Sequence, residues 1–179
     1  MRKKLMASVL LGLLSTGTMF AQFGPTGNTS LQVNVASEAA IQVDTATTNL
    51  TTVGTIFNDY TATTNFTYKI RTTKVGGTGS ITLQITSDFS PAGGPSVASP
   101  PTAGDTLAYN CTVAGPGTAC VGSQTSSTTA ATGVATFGAN AHSAKPGNGG
   151  NSVNWTLSND PLYETGSFSA TATFTISAT

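Results

Sequence analysis

The chain has 179 residues, of which only 8% are charged, with seven Lys and Arg against seven Asp and Glu. An ordinary domain carries about 25% charged residues, so the solvent-facing work falls to Ser, Asn, Gly and above all Thr, which occurs 34 times. So few cations are too little positive charge to neutralise a phosphate backbone, which argues against a nucleic-acid partner, and β-branched Thr suits a pleated sheet better than a helix.

Taken in order, Arg2, Lys3 and Lys4 precede an apolar run over 5–14, and small or polar residues follow over 15–21. This is the three-part layout of a secretory signal peptide. Cleavage is expected after Ala21, with Thr18 the alternative, leaving residues 22–179 as a single domain. The leader takes three cations with it. Lys69, Arg71, Lys74 and Lys145 then stand against seven carboxylates, a net charge of 4 − 7 = −3. No later apolar run approaches the roughly 20 residues of a membrane helix, so no membrane span is expected in the mature chain. A short, Lys-rich leader of this kind is bacterial in type and directs the chain to the periplasm, the cell surface or the exterior. The Asn-x-Ser/Thr triplets at Asn28, Asn49, Asn65, Asn110 and Asn154 are therefore read as chance in a Thr-rich chain.

Beyond the leader, period-two alternation recurs and no helical period emerges. Leu31, Val33 and Val35 alternate with polar residues, and Ile41 and Val43 resume that parity. Phe66, Tyr68 and Ile70 alternate with Thr67, Lys69 and Arg71; after the VGGTG turn at 75–79, Ile81, Leu83 and Ile85 alternate in the same way. The spacing predicts a hairpin here. Residues 90–105 hold four prolines and three glycines and are expected to form a long irregular loop.

Leu107, Tyr109, Cys111 and Val113 begin the next strand. Cys111 and Cys120 are the only cysteines, and in an oxidising compartment CTVAGPGTAC reads as a hairpin pinned by a disulfide. A weaker strand is expected over 133–137, a second flexible loop over 138–150, and a strand carrying Val153, Trp155 and Leu157. Residues 168–176 close the chain with Phe168, Ala170, Ala172, Phe174 and Ile176 alternating with hydroxyls. Eight to ten short strands at this spacing predict an all-β antiparallel sandwich of the immunoglobulin-like, Greek-key kind, with the last strand packed near Trp155.

PLYETGSFSATATFTISA, residues 161–178, resembles the terminal hairpin of bacterial secreted Ig-like modules. It is also similar to the ending of spore coat protein U and related secreted pilin subunits, with a general likeness in LQVNVASEAAIQV at 31–43. Members of that group carry a cysteine near the first strand, where residues 31–43 have none. The resemblance implies an exported sandwich that assembles at the cell surface.

No catalytic pattern emerges. His142 is the only histidine and sits in a Gly/Asn-rich loop, without the support that a triad imidazole needs. The seven carboxylates are dispersed in turns, no DxDxDG loop holds calcium, and no metal or cofactor is expected. Trp155 shares parity with Val153 and Leu157 and is assigned to the core. Tyr60 and Tyr163 lie near turns and are the candidate exposed rings. Lys69, Arg71 and Lys74 cluster on one strand and have two readings: a charged edge strand guarded against aggregation, or a receiver for an acidic glycan or a neighbouring subunit's carboxylates.

The function expected from these residues is that of a non-catalytic surface structural protein, a pilus-like or coat subunit. It would assemble through strand edges, with segment 22–36 donated to a neighbour and Leu31, Val33 and Val35 inserted. The alternative is a monomeric adhesin-like module that binds a glycan or surface protein through loops 90–105 and 138–150.

Overall fold

Alternating strands with one apolar face must bury that face against another layer, and the longer strands do so here. The computed structural model describes residues 26–54 and 56–179; the leader expected over 1–21 lies outside them. In chain order the strands are β1 (Glu38–Val43), β2 (Thr51–Thr52), β3 (Tyr60–Arg71), β4 (Gly79–Ser90), β5 (Leu107–Thr112), β6 (Thr118–Ala119), β7 (Gln124–Thr125), β8 (Thr132–Phe137), β9 (Asn148–Leu157) and β10 (Ser169–Ala178). Among the described residues there is no helix. The chain divides into two units, one ending at Asn34 and one spanning Val35–Thr179. Residues 26–34 have no regular structure.

In the larger unit every strand pairing is antiparallel. One sheet runs β1-β3-β9-β5-β7, with β2 also on β3; the other runs β10-β4-β8-β6. The inner faces meet in one core, with Phe66, Tyr68 and Ile70 of β3, Val153, Trp155 and Leu157 of β9, and Tyr109 of β5 on one side, and Ile81, Leu83 and Ile85 of β4 with Val134 and Phe137 of β8 on the other. The parities expected for β3, β4 and β9 are those that are buried. In β8 the neighbours Val134 and Ala135 are both buried, because a register shift opposite Ile81 and Thr82 turns the strand locally, as a bulge does.

Several local expectations are corrected by the pairing. The segments around VGGTG form no hairpin, since β3 and β4 belong to different sheets. The turn instead carries the chain across, tied down where Thr72 Oγ donates to the Gly138 carbonyl and accepts from Ala141 N–H. Gly77 is required there because a Cβ would collide with the Thr73 backbone.

CTVAGPGTAC crosses in the same way, from β5 in one sheet to β6 in the other. The Cys111–Cys120 disulfide, with Cα atoms 5.5 Å apart, thus fastens the two layers together and not the arms of a hairpin. β9 and β10 also lie in different sheets, so 161–168 is a crossing and β10 pairs with β4. Residues 31–35 form no strand; β1 begins only at Glu38. Loop 90–105 is irregular, as expected.

Polar side chains complete the crossings. Tyr109, wholly buried, reaches from β5 across the core and donates to Thr132 Oγ (2.7 Å) and the Gly133 carbonyl (2.9 Å) of β8. Tyr68 donates to the Ala114 carbonyl at 2.6 Å. Trp155 Nε1 donates to Thr64 Oγ at 2.8 Å, which satisfies both inside the core. Asn151, 1% exposed, donates to the Phe66 and Asn148 carbonyls and accepts from Ala114 N–H, holding the irregular pairing between Phe66 and Tyr68.

Asn151→Ala leaves buried backbone groups without partners and is expected to cost about 2–4 kcal/mol, read as a lowered urea midpoint with unchanged slope. Replacing both cysteines with alanine opens a closure of roughly ten residues, with an expected loss of about 2.5–3 kcal/mol on the chain-entropy view. A midpoint equal to that of the oxidised wild type would contradict this.

Candidate functional site

Strand edges are where a sheet offers unsatisfied backbone to a partner. Among the described residues, β10 pairs only with β4, and β1 only with β3. These two edges belong to facing sheets. Beyond Val43 the regular pairing with β3 stops until Thr51; residues 44–50 stay beside β3 through the bond from Asp44 N–H to the Asn65 carbonyl and the one from Asn65 N–H to Thr45 Oγ, but as an irregular segment. An open groove with a cavity of about 390 Å³ lies there, with Ile85, Leu107 and Trp155 of the core at its base and Leu50, Phe168 and Phe174 among its walls. A hydrogen bond of 2.6 Å between the hydroxyls of Thr48 and Thr64 ties one wall to the floor.

The groove borders β10 from Ser169 to Phe174. Ala170, Phe174 and Ile176 are only half-buried, although Phe174 meets Phe66 with ring centroids 5.8 Å apart. On β4, by contrast, Ile81, Leu83 and Ile85 are completely covered. The last strand therefore presents an apolar face that its own chain covers incompletely, beside a row of edge amides. Sequence reasoning found the face but not its position at an edge.

Leu31 and Val33 are 91% and 86% exposed, and Val35, in the larger unit, is 59% exposed. All three lie outside any strand. Tyr60 and Tyr163 are both half-buried and so are not the free rings expected. They line a second cleft of about 630 Å³ with Asn159 and Asp160. Burial, then the charges of Asp105 and Asp160, push the Tyr163 hydroxyl up to about 12. Asp160 accepts from the Thr102 hydroxyl and from Leu162 N–H, and these bonds hold its carboxyl below the ordinary value. Asp105 is raised, by desolvation and then by its contact with Asp160.

Lys69 and Arg71 sit on β3, which is flanked by β1 and β9. The edge-guard reading of these cations is therefore corrected: their strand is interior, and they project from its outer face. Arg71 donates to Glu38 Oε2 at 2.9 Å and to the Ala36 carbonyl at 2.7 Å, an exposed pair worth about 0–1 kcal/mol. Lys69 and Arg71 share a cleft of about 660 Å³ with His142 and Lys145. The loop is held against the strand by the Arg71–His142 bridge and by Ser143, whose Oγ accepts from Ile70 N–H at 2.9 Å. Nothing local in the sequence links Lys145 to Lys69, because that proximity exists only once the loop returns to β3. Lys74 lies in the turn that follows.

Loop 90–105 is anchored and not loose. Asp88 accepts from Phe89, Val97 and Ala98 N–H and from Ser96 Oγ, at 2.7–3.0 Å. Burial pushes this carboxyl up, but the bonds from Val97, Ser96, Ala98 and Phe89 together outweigh it and hold the carboxyl below its ordinary value. Among the described residues no three His, Cys, Asp or Glu side chains converge to hold a metal ion, and no helix is long and apolar enough to cross a membrane. Comparison with protein-family models, with characterised proteins and with solved structures finds no match.

Asp88→Asn keeps the shape of the anchor without the charge and is expected to melt lower than wild type at neutral pH. A carboxyl held down in the fold contributes stability above its unfolded value, about 4, and loses it as pH falls through the folded one. Thermal melts from neutral to about pH 2 should show the gap narrowing with acid, and parallel curves would count against the anchor.

Proposed function

We propose that this chain is an exported, non-catalytic structural subunit of a bacterial cell surface, pilus-like or coat-like, that assembles through its strand edges. The observation that supports it best is the outer edge of β10, which no strand pairs among the described residues, beside an apolar groove. In this reading, segment 22–36 of a neighbour adds as a strand along β10. Edge amides supply the affinity, and Leu31, Val33 and Val35 enter the groove on the apolar side. Seating each of these exposed side chains contributes roughly 1.5–3 kcal/mol. Ordering the segment opposes this at roughly 1–2 kcal/mol per residue, so the backbone bonds along β10 are needed as well.

The fold proposed with it is an immunoglobulin-like Greek-key sandwich. Supporting that finer assignment are the pairing of non-consecutive strands, β3 with β9 and β4 with β10, and the repeated crossing between sheets. The Cys111–Cys120 bond fits an oxidising compartment, in keeping with export.

The test is the mature chain from Gln22, oxidised, followed across concentration by sedimentation velocity and negative-stain microscopy. Ladders or filaments are expected, with a folded monomer when residues 22–36 are deleted and at least about tenfold weaker association for Val33→Asp, the loss of one buried aliphatic group. A wild type that stays monomeric at every concentration would sink unaided assembly. Attention would then move to the module reading and to glycan binding beside Tyr60 and Tyr163.

A further inference from the structure

The few charges of this chain are not scattered in space. β3 runs about 35–40 Å from Tyr60 to Arg71 and marks a long axis of the larger unit. At the Arg71 end stand Lys69 and Arg71 themselves, Lys74 in the following turn, and Lys145 across the cleft. These are all the cations of residues 22–179, and Glu38, bonded to Arg71, is the carboxylate among them.

At the Tyr60 end stand Asp59 before β3, Asp105 before β5, and Asp160 and Glu164 after β9. Asp88, near the end of β4, lies on the same side. No Lys or Arg accompanies them. Asp44 lies between the ends, accepting from the Thr67 hydroxyl. Four cations less one carboxylate make +3 at one end, five carboxylates make −5 at the other, and with Asp44 the sum is the −3 of the mature chain.

We infer that these ends are complementary docking faces, so that successive copies associate head to tail, with the Lys69–Lys145 cleft of one copy against the Asp59–Glu164 end of the next. The inference rests on the assembly reading and adds its partner face and polarity. The occupant of the cationic cleft is a second copy of this chain, because the molecule itself carries the matching charge at its opposite end.

A second observation agrees. The chain enters β1 at the cationic end, where Glu38 pairs with Arg71. The β10 groove borders the acidic end, where Phe168 and Leu50 line both it and the cleft of Tyr163 and Glu164. Head-to-tail contact therefore brings a segment leaving one subunit to the mouth of its neighbour's groove. Opposite faces on one molecule make a heterologous contact, which propagates as an open array instead of closing as a dimer. Lys69, Lys74, Lys145, Asp59 and Glu164 are exposed, while Arg71, Asp88, Asp105 and Asp160 are half-buried; the exposed groups set orientation and encounter rate and are sensitive to salt.

The experiment compares the mature wild type with K69E/K145E, with D59K/E164K, and with an equimolar mixture of the two variants, by sedimentation velocity. Each variant alone is expected to associate at least tenfold more weakly than wild type, and the mixture to regain association, because each supplies the charge the other has lost. Raising sodium chloride from about 20 mM to about 500 mM should weaken the wild type by a comparable factor.

Wild-type-like association of either variant, or a mixture no better than its components, would overturn the polarity while leaving strand-edge assembly standing. A wild type monomeric under all conditions would overturn both. All four positions are exposed, and circular dichroism checks that the variants fold. Should one not fold, the salt series on wild type decides, and association indifferent to salt would overturn the inference.

Discussion

The structure depends on one constraint: nearly every long strand of this chain is apolar on one side only. Such strands cannot be stable singly, and a single sheet of them would leave a whole face in water. Two sheets closed over Phe66, Ile81, Tyr109, Val134 and Trp155 satisfy the constraint, and the hydroxyl-rich outer faces follow from it. The crossings are fastened by the few polar groups allowed inside. Tyr109 reaches β8 and Tyr68 the Ala114 carbonyl, while the Cys111–Cys120 bond joins the layers covalently.

The same constraint identifies where the fold is unfinished. The inner face of β4 is fully covered, and the inner face of its neighbour β10 is not. The difference arises at the edge. β4 has a strand on each side, whereas β10 has one on one side only, and the segment opposite its start, residues 44–50, is irregular. An apolar face beside unpaired amides is costly to leave in water and prone to pairing. The proposed assembly gives that cost a purpose.

Charge works on a longer scale. With 8% charged residues the surface resists association less than an ordinary one would, and the placement of those charges matters correspondingly more. Lys69 and Lys145 come from distant stretches yet face one cleft, and carboxylates from three connections and from β4 gather at the other end. In the proposed assembly such segregation would orient copies, and it adds little to the stability of a single one.

The core was legible in the sequence because the side-chain period of a strand is two and the hydrophobic effect reads that period directly. Phe66, Tyr68, Ile81, Leu83, Val153 and Trp155 are buried as their alternation required. The cysteine pairing was legible because there are only two. Alternation does not say which strand lies beside which. VGGTG, CTVAGPGTAC and 161–168 all look locally like hairpin turns, and all three carry the chain between layers, because the next apolar face is better buried opposite its predecessor than beside it.

Nor does alternation say that β10 is an edge, that 31–35 stays outside any strand, or that Tyr60 and Tyr163 become half-buried. Residue type and near neighbours are enough to specify an all-β chain, its inner faces and its disulfide. The strand order, the groove and the two charged ends come from the folded arrangement, since each depends on contacts between residues that the chain separates widely.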